Sequence, residues 1–459
     1  VFIGADTVWK LRKAVKLTFV DFTPLAERER TARREFELNA PGAPGMYLDV
    51  VPVTRAESGL ELDGPGTPVD WVVRMVRVPK PDFLDAVAEA GGLTPQLLDA
   101  LGDTVAAMHQ RQPRSDQDPV ASLSRTLAGN HASGRHAGLP AGRLDAWYAS
   151  ARTEFDRLSA WLAARGKAGF VRRSHGDLHL RNMCLWQGQP VAFDALEFSE
   201  TMATIDLGYD LAFLLMDLDI LAGRAAANRV LNRYVARTGD VALLAGLPLF
   251  LSVRALVRAH VTCHGGGDWH GYLDYAEAAL APYPCSVVGI GGLPGTGKST
   301  LARGLAPSLG RPPGALILRS DEIRKRQAGV APEQRLSKSA YTRKVSDAVK
   351  AQLFAGVAQA AQAGHAVIAD MTFMDLADRA ALRIAAGDTL CLGVWLQAPL
   401  AVLEARVAAR IGDASDADLG VLRQAAAADP GPGDWTPIDT TASDALANLR
   451  HSITQQNGP

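Results

Sequence analysis

Residues 289–300 read GIGGLPGTGKST, directly behind the apolar run 285–290. Gly292, Gly297, Lys298 and Ser299 complete the spacing G-x-x-x-x-G-K-S, whose glycines let backbone N–H groups turn inward onto phosphate oxygens. Gly295, Thr296 and Thr300 lie in the same cradle and are expected to touch the nucleotide with them. A helix over 299–309 would point its positive end at the phosphates, Lys298 would reach the β/γ-phosphates, and Ser299 would hold Mg²⁺. An apolar strand, the loop and a helix follow one another in the order an ATP or GTP site needs, which a glycine-rich turn of the same composition does not require.

Downstream, strand-like and helix-like stretches alternate, which implies a parallel sheet with helices on both faces. Strands are expected at 315–318, running into Arg319-Ser320-Asp321, at 366–369, running into Asp370, and at 390–396, with a helical region through residue 364. Active groups of such sheets gather at the carboxyl ends of the strands. Asp321 is therefore the candidate carboxylate for the proton of an acceptor hydroxyl. Asp370 is either an Mg²⁺ ligand or a plain strand-end cap, and Thr372 is a candidate substrate contact. Arg406 and Arg410 are four apart and share a face of a helix expected over 399–411; they either close over the transferring phosphoryl group or form a solvated basic face. The Asp- and Ser-rich loop 412–418 suits the margin of a mobile lid.

Upstream of the P-loop strand, Pro282 and Pro284 break the chain, so a boundary is expected at 281–285. The opening residues read as a hairpin (1–4 and 7–11), a charged helix over 23–39 with Thr23 as N-cap and Pro24 at its first position, and two strands (47–54 and 69–78) around the turn Glu57-Ser58-Gly59. Together they make a small α+β lobe ending at residue 79. From residue 82 the pattern is helical, with one helix over 94–110 and another marked by Leu144, Trp147, Ala151, Phe155 and Leu158. The intervening 114–142, rich in Ser, Gly, Asp and His, is expected as a long loop.

A second chemical centre stands at 175–182, HGDLHLRN, followed by Phe193-Asp194 after a short apolar run. A carboxylate and an amide five residues apart, with another carboxylate downstream, suit phosphoryl transfer: Asp177 as the base that orients and accepts a hydroxyl proton, Asn182 and Asp194 as Mg²⁺ ligands. His175 is expected to brace the loop, and Asp210, on a helix over 204–222, to brace it too or to cap a turn.

HGDxHxxN followed by FD resembles the catalytic and metal motifs of the aminoglycoside phosphotransferase and choline kinase group, which has a protein-kinase-like bilobal fold. The resemblance implies that Lys10 supplies the strand lysine and Glu35 its ion-pair partner, with Lys13 and Lys16 as competing candidates, and that 75–79 is the hinge receiving adenine. No G-x-G-x-x-G loop stands upstream. The later half resembles small P-loop kinases, including polynucleotide 5′-kinases, zeta-toxin-like kinases and gluconate-kinase-like enzymes, through GLPGTGKST, the RSD at 319–321, VIADMTF at 367–373 and the two arginines. The whole chain resembles bacterial fusions of these two kinds of domain. The expected architecture is thus an α+β protein-kinase-like domain (lobes 1–79 and 80–281) followed by an α/β P-loop NTPase domain (285–459).

Composition narrows the function classes. Of 459 residues, 48 Lys and Arg nearly cancel 49 Asp and Glu, so no global field favours nucleic acid or a membrane surface. Cys184, Cys263, Cys285 and Cys391 lie far apart without metal spacing, as expected of reduced thiols in a cytoplasm. The cluster His260, Cys263, His264 and His270 reads as a helix end before three glycines rather than a zinc site. The longest apolar stretch, 241–253, is interrupted by Gly246 and Pro248, too short for a bilayer, and expected as a buried helix. A chain opening on Val1 is expected to lack some N-terminal residues.

The function expected is a bifunctional kinase using ATP and Mg²⁺ to phosphorylate hydroxyls of small molecules at two sites. The alternatives are one small-molecule kinase with a nucleotide-binding regulatory domain, or a polynucleotide 5′-kinase in the P-loop half.

Overall fold

The computed structural model describes residues 1–16, 20–57, 59–410 and 413–457. Ser58 of the expected turn, and Ile411 and Gly412 at the expected helix end and lid margin, lie outside the described residues. The chain forms two compact units, one of Val1–Ala222 with Leu249–Ala278, the other of Gly223–Pro248 with Ala279–Pro459.

In the first unit an antiparallel sheet has the order β1-β2-β5-β3-β4, made of β1 (Phe2–Ile3), β2 (Thr7–Leu11), β3 (Tyr47–Ala56), β4 (Gly59–Leu62) and β5 (Thr67–Val76). The helix α1 (Leu25–Asn39) packs on β3 and β5, burying Ala32 against Met46, Tyr47 and Val73. Thr23 is not its cap: the Thr23 hydroxyl donates to Asp21 at 2.6 Å, and Pro24 takes the N-cap position.

Helices follow: α2 (Leu84–Glu89), α3 (Pro95–Arg111), α4 (Pro119–Ala137) and α5 (Ala141–Lys167). The expected loop over 114–142 is mostly α4. Asp118 accepts the N–H of Val120, Pro119 sits in the first turn, and Gly138 ends the helix at φ 89°. Leu123 and Leu127 bury one face, and a Cβ on Gly134 would stand 3.0 Å from Leu144, so the small residue sets the approach to α5.

Strand β6 (Val171–Arg173) pairs with β9 (Thr204–Asp206), so the helix expected from residue 204 starts only at Leu207, as α7 (Leu207–Ala222) after the short α6 (Glu200–Ala203). Between them, β7 (Met183–Trp186) and β8 (Gln189–Ala192) form a hairpin whose two turn residues, Gln187 and Gly188, have φ of 52° and 77°, the twist a two-residue turn requires. After α8 (Arg224–Thr238) come α9 (Leu247–His264) and α10 (His270–Leu280). The expected helix over 241–253 is a 3₁₀ turn at Val241–Ala245 and then α9, broken at Gly246.

The second unit centres on a five-stranded sheet, parallel throughout, in the order β11-β12-β10-β13-β14. Its strands are β10 (Ser286–Gly292), β11 (Leu316–Arg319), β12 (Val367–Asp370), β13 (Leu390–Gln397) and β14 (Thr436–Asp439). Its helices are α11 (Lys298–Leu305), α12 (Ser320–Gln327), α13 (Arg343–Gln362), α14 (Leu376–Ala386), α15 (Leu400–Ala408), α16 (Leu419–Ala427) and α17 (Ala445–Asn457). The P-loop helix is shorter than expected because a 3₁₀ turn containing Pro307 follows it. Val288, Ile290, Ile317, Ile368, Val394 and Ile438 fill the core between sheet and helices.

Residues 223–248 extend this unit, although the expected division gave them to the first domain. The Asn228 amide donates to the Ala315 carbonyl at 3.0 Å, and Asn232 accepts the N–H of Ile317 at 2.6 Å. Two side-chain amides of α8 thereby satisfy backbone groups along β11, the edge strand of the sheet. Arg326 of α12 donates to the Ala236 carbonyl, and Arg233 pairs with Glu333 at 2.6 Å. Among the described residues no helix is long and apolar enough to cross a membrane.

Candidate active sites

In the first unit Lys10 on β2 and Arg12, just past the strand's end, both reach Glu35. Lys10 Nζ lies 2.9 Å from Glu35 of α1, which is 1% exposed, and also pairs with Asp194. Burial opposes the charge on Lys10, but the two carboxylates outweigh it and raise its pKa. Lys16, one of the competing lysines, pairs with Asp21 at the surface. Arg12 joins the other oxygen of Glu35 at 2.6 Å to Glu197 at 2.5 Å. Burial pushes the Glu197 carboxyl up to about 7, even with Arg12 beside it. Glu35, Asp194 and Glu197 bring carboxylate oxygens within 4.8 Å of one another, a cluster that Lys10 and Arg12 already neutralise. Asp194 holds φ at 60°, unusual for a residue other than glycine, and its N–H donates to the Tyr47 hydroxyl at 3.1 Å.

The loop 175–182 hangs from several fixed points. Asp210 of α7, fully buried, accepts the N–H groups of His175 at 3.1 Å and Gly176 at 2.8 Å, and lies 3.1 Å from His109 Nε2. Asp217, seven residues along the same helix, accepts the N–H of Leu180 at 3.0 Å. Arg254 of α9 donates to the Gly176 carbonyl, and His175 Nε2 lies 2.9 Å from the Phe193 carbonyl. Gly176 stands at φ 84° with Leu196 against its Cβ position, so the turn that precedes Asp177 calls for glycine.

Asn182 donates to Asp177 Oδ2 at 2.9 Å, and the N–H of Phe193 reaches the Asn182 carbonyl at 3.0 Å, so the β7–β8 hairpin returns the chain to Asp194 beside the loop. Asp177 keeps 45% of its side chain exposed. Burial of the carboxyl favours the neutral form, but His179, His175 and Arg254 outweigh it and hold Asp177 at about 2, ionised at neutral pH and able to accept a hydroxyl's hydrogen bond. The residues singled out in the sequence around Asp177 thus come together with the Lys10–Glu35 pair and Asp194.

In the second unit, Gly292, Gly295 and Gly297 have φ of 134°, 88° and 85°. A Cβ on Gly292 would lie 2.6 Å from the Leu396 carbonyl oxygen, and one on Gly295 would lie 2.9 Å from that of Leu403, so the loop is wrapped too closely for a side chain at either; at Gly297 the space is open and the positive φ alone calls for glycine. Lys298 Nζ donates to the Gly292 and Leu293 carbonyls at 3.0 Å each, and burial pulls its pKa down. Thr296 is 1% exposed and its hydroxyl closes the turn onto the Leu293 carbonyl. That side chain braces the loop from inside, whereas the sequence reading expected it to touch the nucleotide.

Parallel register sets Arg319 beside Asp370 and Asp370 beside Ile290, so the ends of β11 and β12 lie level with each other, two residues short of the end of β10. Ser299 Oγ donates to Asp370 Oδ2 at 2.6 Å, a hydroxyl and carboxylate pair of the hard-oxygen kind Mg²⁺ takes. Arg319, 5% exposed, donates to Asp370, Glu322 and Asp413 and locks this end of the sheet. Asp321, in the first turn of α12, lines a cavity of about 820 Å³ with Lys298, Ser299, Thr300, Asp370 and Arg410. Burial, with Asp370 adding to it, raises the Asp321 pKa above the usual carboxylate range, against Arg319 and Lys298. The arginines do not share a helical face: α15 ends at Ala408, so Arg410 lies beyond it, whereas Arg406 donates to the Thr440 hydroxyl at 3.0 Å and its carbonyl at 2.8 Å.

Residues 50–246 match the model of the Phosphotransferase enzyme family, and residues 287–429 that of an AAA domain. Over 454 residues the chain is 31% identical to the uncharacterized protein Rv2004c of Mycobacterium tuberculosis (strain ATCC 25618 / H37Rv), covering 93% of this chain and 88% of that protein. The uncharacterized protein Mb2027c of Mycobacterium bovis is matched to the same extent. The chain belongs to this family of tandem phosphotransferase and P-loop proteins. Both domains are of kinase families, and the chain is a kinase-class phosphotransferase. The first matched region of this tandem protein holds Asp177, Asn182 and Asp194, and the second holds Lys298, Ser299, Asp321 and Asp370.

Among solved structures, a gluconokinase from Sinorhizobium meliloti 1021 is similar over 38% of this chain and 99% of its own, at 20% identity and a TM-score of 0.27. A choline kinase from Cryptosporidium parvum Iowa II is similar over 46% of this chain and 68% of its own, at 9% identity and a TM-score of 0.31.

Several residues escaped the sequence reading. Asp217 carried a legible signal, an acid seven residues after Asp210 and so on the same face of a mostly apolar helix. Arg12, Glu197, Arg254 and Asp413 carried none, because their partners are distant in sequence.

Proposed function

We propose that the chain carries two separate ATP- and Mg²⁺-dependent phosphotransferase sites, each moving a γ-phosphoryl group to a hydroxyl of a small-molecule acceptor. The observation that carries this reading is that each unit has its own full set of groups. In the first, Asp177, Asn182 and Asp194 stand with the Lys10–Glu35 pair; in the second, Lys298 stands with the Ser299–Asp370 pair and with Asp321.

At the first site Asp177 accepts the hydroxyl proton, while Lys10, fixed by Glu35, holds phosphate oxygens. At the second, Asp321 takes the proton, its raised pKa suiting a base that must also release it. Lys298 and the loop N–H groups hold the phosphates, and Arg410 faces the transferring group. Mg²⁺, when bound through Asn182 and Asp194 or through Ser299 and Asp370, supplies charge against the negative charge developing on the phosphoryl oxygens. Four unpaired, widely separated cysteines suit a cytoplasmic setting for this chemistry.

The test is ADP release and phosphate transfer by the full-length chain, with ATP, Mg²⁺ and a bacterial metabolite extract, sugars, aminoglycosides or 5′-hydroxyl oligonucleotides as acceptors. Acceptor-dependent ADP that stops when the metal is chelated is expected. No acceptor-dependent ADP from any of them would sink the reading.

A further inference from the structure

Two cations and three carboxylates meet where the end of β2 faces α1 and the turn after Asp194. Lys10 takes Oε1 of Glu35 and also pairs with Asp194, while Arg12 Nη2 lies 2.6 Å from Oε2 of Glu35 and 2.5 Å from Glu197. The division follows depth. The side chains of Glu35 and Glu197 are 1% and 5% exposed, whereas that of Asp194 is 38% exposed. Arg12 therefore serves the two acids that stay inside, and Lys10 stands between Glu35 and the one acid that opens outward.

With no protein cation among them, three acids this close would take a hard metal ion. Arg12 fills the inner part of that set. Its contact with Glu197 is one of charge alone, since Glu197 Oε1 is buried without a hydrogen-bond partner, and Arg12 Nε is likewise buried without an acceptor. The guanidinium carbon lies 5.4 Å from the centre of the Phe22 ring, and Phe22 meets Phe198 edge to face at 6.5 Å, so apolar walls leave these charges little screened. A guanidinium kept here with a donor to spare is kept for its charge.

The backbone of the turn is held by other groups. The N–H of Asp194 goes to the Tyr47 hydroxyl at 3.1 Å, that of Ala195 to Asn39 Oδ1 at 3.0 Å, and that of Leu196 to the His175 carbonyl at 2.9 Å. Asn39 is itself tied to the Glu35 carbonyl at 2.8 Å. These bonds set where Asp194 stands, and Arg12 adds to them a fixed positive charge.

We propose that Arg12 is a positioning residue of the first site, an internal counter-cation that closes the Glu35–Glu197 side of the acid cluster to metal. A divalent cation then enters only with the nucleotide, at Asn182 and Asp194, and Lys10 is free to turn from Asp194 to phosphate oxygens. Without Arg12, Glu35, Glu197 and Asp194 become a decoy site that takes a divalent cation in the absence of nucleotide. The inference rests on the phosphotransferase reading of the first site.

The test uses the full-length chain carrying Lys298→Ala as parent, so that transfer reports the first site. Binding of Mn²⁺, a paramagnetic stand-in for Mg²⁺, is measured without nucleotide by electron paramagnetic resonance. The parent is compared with Arg12→Gln, Arg12→Ala, Arg12→Lys and the pair Arg12→Gln with Glu197→Gln. Arg12→Gln and Arg12→Ala should each gain one Mn²⁺ site, at least about tenfold tighter than any the nucleotide-free parent shows. Arg12→Lys, which keeps the charge, should gain none, and adding Glu197→Gln should remove the site that Arg12→Gln gains. In ADP release with a bacterial metabolite extract as acceptor, excess free Mg²⁺ should inhibit Arg12→Gln at concentrations the parent tolerates. Amide exchange of peptides spanning 193–199 should match the parent, because the turn keeps its three backbone hydrogen bonds.

No added Mn²⁺ site in either neutral variant, an equal gain in Arg12→Lys, or a collapse of protection at 193–199 that makes Arg12 a structural strut overturns the proposal and leaves the phosphotransferase reading standing. No acceptor-dependent ADP from the parent with any acceptor of the panel overturns that reading and this inference together.

Discussion

Asp210→Asn is the sharpest perturbation of the first site that leaves its reacting groups untouched. The native carboxylate is fully buried and accepts two backbone N–H groups, His175 at 3.1 Å and Gly176 at 2.8 Å, besides lying 3.1 Å from His109 Nε2. Asparagine has the same shape but keeps one acceptor oxygen and turns an NH₂ group toward a donor. One charge-assisted hydrogen bond is lost, another becomes neutral, and a buried N–H is stranded. With about 1.5–3 kcal/mol for a bond to a charged group and about 1–3 for an orphaned donor, two overlapping costs, opening of the loop should become easier by about 2–4 kcal/mol. Amide hydrogen exchange read by mass spectrometry on peptides spanning 173–182 should then show protection lower by about 30- to 1,000-fold at neutral pH.

The acid side of the same experiment has a definite sign. Burial favours the neutral form of Asp210, but His109, His175 and Arg254 outweigh it and hold the carboxyl at about 2, below its ordinary 3.8. A depressed native pKa contributes stability that is fully present above the unfolded value and is lost as the pH falls toward about 2. The gap between wild type and Asp210→Asn should therefore narrow over that window. Equal protection of the loop in the two proteins at neutral pH would refute Asp210 as its anchor.

Ser299→Ala and Asp370→Asn should each raise the Mg²⁺ concentration needed for half-maximal ADP release at the P-loop site by at least about tenfold; an unchanged Mg²⁺ titration removes that pair as a metal set. Lys10→Ala should lower kcat at the first site by at least about a hundredfold, while Lys13→Ala and Lys16→Ala stay near wild type. Equal losses from all three would deny Lys10 its special place. Glu197, raised by burial to about 7, favours the native state when protonated, a contribution present below the ordinary 4.5 and lost as the pH rises through about 7. The unfolding free energy of wild type relative to Glu197→Gln should thus fall across that range by about 3 kcal/mol, and a flat difference refutes the shift. Asn232→Ala should cost the second unit about 1–3 kcal/mol by stranding the N–H of Ile317, read from exchange of β11; protection left intact would show the edge strand is satisfied otherwise.

Both chemical centres were legible because their chemistry fixes short spacings. Phosphate contact by backbone N–H groups demands glycines at set intervals, and a base with its amide partner five residues later survives as a string. What the sequence left open depended on register and long-range packing. Lys10 stood ahead of Lys13 and Lys16 only through the resemblance, because the pairing of Lys10 with Glu35 depends on how β2 registers on β5. The helix α4 hid behind polar residues on its exposed face, though its Asp-Pro start and Gly end are regular helix signals. Arg406 and Arg410 parted because α15 stops at Ala408, two residues before the second arginine. Nothing local marks 223–248 as belonging with the P-loop sheet, because the Asn side chains that bind β11 meet it more than eighty residues away.

The central claim, two independent phosphotransfer sites in one chain, is tested most directly by measuring acceptor-dependent ADP release and phosphate transfer for wild type, Asp177→Ala and Lys298→Ala across one acceptor panel. The account predicts that each substitution abolishes transfer to a different acceptor and spares the other. If Asp177→Ala alone removes all transfer while Lys298→Ala removes only nucleotide binding, the chain is a single kinase with a nucleotide-binding regulator, and the two-site account is wrong.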